Sequence, residues 1–396
     1  MNVSSVYYCP TQKFLAFKAI DSLVFTGEGS ILQIERFINK NQGDYILSAF
    51  SYDLKNQFES LNSKNIDLSD FPDVILWIPA VVIQFEADNY QVLKGELTDS
   101  DRFFVESFLI PNTEASLPSV SFKSRISKEV YIEKVNLVKT EIQQGNCYEL
   151  NFCQEFYAEN VKSFDSLTLF NRLFERTKAP FSVYFSFDNW EVFCASPERY
   201  LKRKGDQLIS EPIKGTVKRG ETASSDQVLI YQLQNDHKER AENVMIVDLV
   251  RNDLSKIATK GSVCVDELCG IHTFETVHHM ISTVRCTILP ETSICSCLQA
   301  SFPMGSMTGA PKVNVMKLIE QFESFKRGIY SGSLGVIKPS GSFDLNVVIR
   351  SLVYNREKAS FSCSVGSAIT IKSDAEKEFD ECSLKIKKII GVFEDN

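Results

Sequence analysis

The sequence predicts an α/β protein built as one large domain, and three observations carry that expectation. Segments rich in Val, Ile, Phe and Tyr recur along the chain between short polar breaks, the composition of strands. Other stretches, notably 127–144 and 226–258, lack interior Pro and Gly and read as helices. No linker, internal repeat or low-complexity tract divides the 396 residues. A content of 43% hydrophobic and 24% charged residues fits a globular enzyme with a substantial core.

Charge and cysteine usage exclude several classes of partner. A net charge of -8 and a pI near 5.3 argue against nucleic acid and against an anionic membrane surface. An anionic ligand would have to be drawn by local cations. The 11 cysteines form no Cys-x-x-Cys pair, which reads as reduced thiols. The N-terminus lacks a signal-peptide pattern, and the apolar run Val74–Phe85 is short and interrupted by Pro79. The expectation is a cytoplasmic protein.

Residues 1–120 read as the β-rich first part of the fold, with few helices and no chemical motif, and 111–118 as a connector. Ser127 caps a helix that Gly145 stops. The strand Tyr148 to Phe156 sets Glu149, Asn151 and Cys153 on one face. Phe181 to Ala195 reads as a hairpin turning at Asp188-Asn189. Residues 226–258 read as one helix, and Ile271 to Leu289 as one strand. Tyr330 to Thr370 reads as a three-stranded meander in which Arg350 shares an apolar face with Val348 and Leu352. Such an arginine needs an anion nearby or a structural carboxylate.

The segment 194–219 carries the chemistry. Lys204-Gly205-Asp206 predicts a hairpin turn, and the resulting register brings Glu198 beside Lys214. A solvated surface pair is the alternative. With Pro197 and Pro212 stiffening the backbone, however, the amine becomes a candidate nucleophile, and Lys218 and Arg219 are cations placed to lower its pKa. Glu239 with Glu242, and Glu378 with Glu381, have i, i+3 helical spacing. Each pair alone could be an ordinary solvated face, as Glu381 and Lys385 suggest. Together, oxygen ligands from two helices suit Mg²⁺. Glu275-x-x-His278 imitates a di-iron pair but lies in a predicted strand, so it is rejected along with zinc. Phe302–Lys312 is a Gly-containing loop feeding a helix, a place where N–H groups can hold a carboxylate.

Ser196-Pro-Glu-Arg199 followed by Pro212-Ile-Lys-Gly-Thr216 resembles the chorismate-utilising enzymes. The lysine is similar to their aminodeoxychorismate synthase component I branch (the large subunit of para-aminobenzoate synthase); anthranilate synthase component I typically has alanine there. The segments opening at Glu242, Phe302 and Glu378 resemble further family signatures in family order, and the likeness covers about 125–390 as the catalytic region. It implies two packed, mostly antiparallel β-sheets flanked by helices. By that resemblance Glu242 and Glu381 bind Mg²⁺ directly, and Glu239 and Glu378 through water. Tyr330, Arg350 and Lys385 bind substrate carboxylates, Gly366 gives a backbone contact, His279 lies near the ring, and Thr308 and Gly309 belong to the anion-binding loop. Position 149 faces substrate in the family, as lysine in isochorismate and salicylate synthases and usually glutamine in aminating members; here it is Glu149. Gly366-Ser367-Ala368 departs from the family's Gly-rich triplet.

The implied reaction aminates chorismate at C4, towards para-aminobenzoate and folate, with Lys214 attacking C2 and Glu198 protonating the departing hydroxyl. No Gly-x-Cys-x-Gly turn is present, so a separate glutamine amidotransferase would supply ammonia. The alternatives are anthranilate synthase component I, an isochorismate or salicylate synthase, or an inactive chorismate-binding subunit.

Overall fold

The computed structural model describes residues 5–87, 89–109 and 115–394, and within them nineteen strands join one hydrogen-bonded network. At one end Val277–Thr287 is flanked by Cys264–Thr273 on one edge and by Gln207–Glu211 and Ile213–Lys218 on the other. From Gln207–Glu211 the order continues through Arg199–Lys204, Phe343–Asn346, Ser333–Ile337 and Ile46–Phe50 to Val74–Phe85. There it crosses to Phe14–Phe25, then Ser5–Cys9, Phe181–Phe187, Trp190–Ser196, Ser351–Asn355, Ser360–Thr370 and Glu149–Ala158. Every one of these pairings is antiparallel.

The two expected layers are therefore halves of a single ladder that folds over at the long Phe14–Phe25 and Val74–Phe85 pair. The register shifts there between Ala19 and Asp21, opposite Pro79 and Ile78. A bulge of this kind bends and twists a strand pair. Between the halves lies an apolar core that includes Phe14, Ala49, Trp77, Phe185, Val192, Leu334 and Val353. Helices cover both outer faces. Ser30–Lys40, His237–Ser255 and Ile294–Ser301 pack through Ile34, Ile246 and Leu298, while Lys128–Gln143, Ser166–Thr177, Lys312–Phe322 and Ala375–Ile390 pack through Val135, Leu169, Val315 and Ile386.

Ser127 does cap its helix, accepting from the Val130 amide at 3.4 Å. Elsewhere the structure corrects the expected segmentation. The stretch 226–258 is two helices, Ala223–Gln234 and His237–Ser255. Asp236 starts the second by accepting from the amides of Lys238 and Glu239, so a capping aspartate breaks a run that holds no Pro or Gly. Ile271 to Leu289 is likewise two strands turning at 274–276. Tyr330 to Thr370 holds four strands, because Phe343–Asn346 pairs with Arg199–Lys204 and leaves 347–350 as a link. Residues 5–109 include the helices Ser30–Lys40 and Asp99–Leu109 besides their strands. Of the predicted connector, 111–114 lie outside the described residues.

One buried ion pair ties these parts together. Arg327 and Glu323 each keep a side chain only 1% exposed and meet at 2.6 Å. The guanidinium also donates to the carbonyls of Met307 and Asn151, and it stacks 4.6 Å from the ring centroid of Tyr52. Glu323 accepts from the Cys153 amide. Replacing Arg327 with Met should leave that carboxylate buried and unpaired, costing about 3–5 kcal/mol. Urea unfolding measures this, and a loss below about 1 kcal/mol would show that the pair is not holding the fold.

Candidate active site

A cavity of about 470 Å³ opens between the strand Ile213–Lys218, the helices His237–Ser255 and Ala375–Ile390, and the link at 347–350. Glu198, Lys214, Glu239, Glu242, His279, Tyr330, Arg350, Gly366, Glu378, Glu381 and Lys385 all line it. These residues are far apart in sequence, so the fold alone brings them to one place.

Glu198 and Lys214 arrive there by a different route from the predicted hairpin. The hairpin exists, with Arg203 opposite Leu208, but its pairing ends at Arg199 and Glu211. Lys214 belongs to the next strand, which pairs with Val277–Thr287. Between Ile213 and Thr216 two residues face only Met280, a bulge in which Gly215 takes a φ of 88°. A residue with a side chain would be strained at that φ, and its Cβ would press within 3.0 Å of Leu233. The bulge sits at the point where Lys214 turns its side chain into the cavity. Glu198 lies in the link before Arg199–Lys204, fixed by a Ser196 hydroxyl on its amide and by Val347 on its carbonyl.

The electrostatics of the two groups differ. Burial raises the Glu198 carboxyl to about 7, against the opposing pull of the Ser306 hydroxyl, Lys214, the Ile213 amide and Arg350. The Ser306 hydroxyl donates to Glu198 Oε1 at 2.7 Å. Lys214 is not made acidic. Burial works against its charge, yet Glu149, Glu242 and Glu198 outweigh burial and hold the ammonium well above its usual range. Its Nζ donates to Glu149 Oε1 at 3.0 Å and stands 3.8 Å from Glu242 Oε2. Arg219, expected to lower that pKa, is instead bound to Asp226 at 2.7 Å.

Glu149 is buried beneath Lys214 and does not line the cavity; its Oε2 has no hydrogen-bond partner. Thr308 and Gly309 also lie outside the lining. The Thr308 hydroxyl donates to the Met304 carbonyl, and Gly309 pairs with Leu150. The loop they belong to is scaffolding. Lys312 donates to Asp253 and to the carbonyls of Ser301 and Pro303, so it pins the loop from below. What the loop delivers to the cavity is Ser306 and Met307.

The predicted acids face the cavity from two helices. Asp374 caps Ala375–Ile390, whose residues Glu378, Glu381, Lys385 and Lys388 form one stripe at i, i+3, i+7 and i+10. Burial raises Glu242 to about 7, opposed by Lys214. Its Oε1 is buried with no hydrogen-bond partner. Lys238 Nζ stands 3.8 Å from that oxygen and 4.0 Å from Glu378 Oε1. Among the described residues no three metal-capable side chains converge on one point. An all-oxygen donor set with one orphaned buried oxygen still fits Mg²⁺, which takes one or two carboxylates and completes its shell with water and substrate oxygens. Ser367, at the departing triplet, donates its hydroxyl to Glu378.

Arg350 leaves the strand it was expected to share with Val348 and Leu352. It takes a φ of 52° in the link and lines the cavity near Tyr330. A Cβ on Gly366 would lie 2.4 Å from Asn151 Oδ1, so close packing demands glycine there. Lys385 donates to the Gly366 carbonyl at 2.9 Å and pairs with Glu381 at 2.7 Å. Burial, Arg350 and Lys388 push His279 down to about 3, leaving a neutral imidazole 2.8 Å from the Thr216 hydroxyl. Sequence reasoning passed over Ser306, Lys238, Lys388 and Asn151 as cavity residues, and it gave Lys218 a different role, that of lowering the Lys214 pKa. Asn151 carried a usable signal, since it shares a strand face with position 149, and so did Ser306, which stands in the loop 302–312.

Comparison with known proteins shows the family and the fold. The chorismate binding enzyme family matches residues 10–391. A probable aminodeoxychorismate synthase, chloroplastic, of Oryza sativa subsp. japonica is 41% identical over 364 residues, covering 90% of this chain. The chain spans only 39% of that relative's length. Aminodeoxychorismate synthase component 1 of Escherichia coli is 32% identical over 88% of this chain and 76% of its own. The crystal structure of anthranilate synthase component I from Streptococcus pneumoniae superposes with a TM-score of 0.83 over 98% of this chain and 93% of that one, at 23% identity, which speaks for the fold alone. The chain belongs to the chorismate binding enzymes.

Proposed function

We propose that this protein is an aminodeoxychorismate synthase, replacing the C4 hydroxyl of chorismate with an amino group. The observation that carries the reading is Lys214, set on its bulge to face the same cavity as Glu198, a carboxyl group whose pKa burial raises to about 7. The names of the rice and Escherichia coli relatives support it.

In this reading Arg350 and Tyr330 hold one substrate carboxylate. Glu242 and Glu381 would hold Mg²⁺ directly, with Glu239 and Glu378 acting through water. When bound, the metal supplies positive charge for the ring carboxylate. Glu198 gives its proton to the leaving hydroxyl, a role that needs a carboxyl with a raised pKa. Lys214 forms a bond to C2 as the C4–O bond breaks and water departs. It must first give up a proton, and Glu149 is the nearest acceptor at 3.0 Å. Ammonia then bonds to C4 while the bond from C2 to Nζ breaks. The name component 1 of the Escherichia coli relative supports a companion glutaminase as the ammonia source. Among the described residues no helix is long and apolar enough to cross a membrane.

Incubation with chorismate, Mg²⁺ and ammonium salt should give 4-amino-4-deoxychorismate by mass spectrometry. Anthranilate as sole product, or isochorismate without nitrogen, would overturn the reading. Lys214→Ala should lower kcat by about a thousand-fold or more, the scale for loss of a covalent nucleophile.

The acid role also fixes a pH dependence. Glu198 must be protonated, so kcat/KM should fall as pH rises through about 7. The Ser306 hydroxyl stabilises the carboxylate form. Ser306→Ala should therefore raise that pKa and move the alkaline limb upward by about one unit. A limb that stays put or moves down would remove Ser306 from this role.

For the metal, Mg²⁺ at about 100 times its Kd should add ~2.7 kcal/mol to the stability of the chelator-treated protein. Thermal unfolding should show this gain, and Glu242→Gln should abolish it. An equal gain in the variant would exclude Glu242 as a ligand.

A further inference from the structure

Beside the main cavity lies a second hollow of about 280 Å³, and the two share Lys218, Val277, His279, Arg350 and Lys388. Residues 176–180, Phe274 and Thr276 complete its wall. The fixed charges of that wall, Arg176, Lys178, Lys218, Arg350 and Lys388, are all positive, and neither Asp nor Glu lines it. Lys178 is paired with Glu175 at 2.6 Å. Among the described residues Lys218, Arg350 and Lys388 have no salt-bridge partner.

These cations form a graded row. Lys218 is exposed at the rim, Lys388 is half-buried, and Arg350 reaches the main cavity. They are close enough to disfavour one another's charge: burial, then Arg350 and Lys218, push the Lys388 amine down. In a chain of net charge -8 acids are plentiful, yet among the described residues none forms a salt bridge with this row, and Glu198 and Glu381 act on Arg350 only from a distance. Like charges without partners cost stability. Low-dielectric walls lined by one sign of charge, however, focus the field and raise the local concentration of a counter-ion. Glu239, Glu242, Glu378 and Glu381 line the main cavity and not the hollow, so an anion meets less repulsion by way of the hollow.

We infer that this hollow is the antechamber through which an anionic, carboxylate-bearing substrate reaches the cavity, with Lys218 and Lys388 drawing it inward. The inference rests on the proposed use of chorismate, a dicarboxylate, and adds the route and two residues that set its rate of capture.

The test is steady-state kinetics with chorismate varied, at fixed saturating ammonium and Mg²⁺, over a range of NaCl. For the unaltered protein kcat/KM should fall as salt rises. In Lys218→Gln/Lys388→Gln, kcat/KM at low salt should drop about tenfold and its salt dependence should flatten, with kcat held within about twofold. Thermal unfolding should find the double variant at least as stable, because it removes repulsion. Lys204→Gln, a neutralised lysine at the exposed hairpin turn, should match the unaltered protein. An unchanged kcat/KM and salt slope in the double variant would overturn the antechamber while sparing the proposed reaction. So would a fall in kcat at constant KM. Failure of the unaltered protein to consume chorismate would overturn both.

Discussion

The ion pair between Arg327 and Glu323 is the constraint on which the site depends. Two charges almost fully removed from water are stable only if their remaining hydrogen-bonding capacity is met. Here it is met by the backbone that floors the cavity. Met307 and Asn151 lend carbonyls to the arginine, and Cys153 lends an amide to the glutamate. Asn151 in turn donates to the carbonyl of Ser306, the residue that touches Glu198. Tyr52 brings the N-terminal third into the same cluster, and Asp53 accepts from the Gly328 amide. The part of the chain with no motif of its own thus braces the floor of the reactive cavity.

Above that floor charges of both signs line the cavity. Two helices present four glutamates, Lys388 follows Glu381 and Lys385 along the second of them, and Lys218 and Arg350 come from the strand of Lys214 and the link at 347–350. A substrate with two carboxylates and a neutral ring matches such a lining only if a cation covers the glutamates. In this structure part of that duty falls to Lys238, whose amine stands between Glu242 and Glu378. Burial, with Glu149 and Glu239 nearby, raises the Glu242 pKa against the pull of Lys214 and Lys238, and one of its buried oxygens has no hydrogen-bond partner.

How much of this was legible in the sequence follows from what each signal encodes. Helix caps and spacings are local, so Ser127 and the stripe from Glu378 to Lys385 could be read directly. The hairpin at 204–206 was also local, and its turn and first pairs are as expected. The register that would have set Glu198 against Lys214 failed because Pro212 has no amide to donate and the chain changes partners there. Long-range pairing decided where Lys214 went, and no local pattern reports that. The Phe302–Lys312 loop misled for a similar reason. Its Gly and Pro residues look like an anion cradle, whereas the fold uses Lys312 and Thr308 to hold backbone carbonyls and offers Ser306 and Met307 to the cavity. Lys238 and Lys388 were invisible because a single lysine on a helix is commonplace.

The pairing of Glu149 with Lys214 bears on which reaction the cavity can support. A buried carboxylate without a cation costs several kcal/mol, and Glu149 is 1% exposed with one oxygen already unpartnered. Its only compensation among the described residues is the Lys214 ammonium at 3.0 Å. Alanine at position 214 would strand that charge, so glutamate at 149 and lysine at 214 are physically interdependent. A glutamine at 149, by contrast, is neutral and could stand beside either residue. The presence of glutamate therefore argues that the lysine is built into this site. It also gives the amine a proton acceptor within hydrogen-bonding reach, which an amide at that position could not provide.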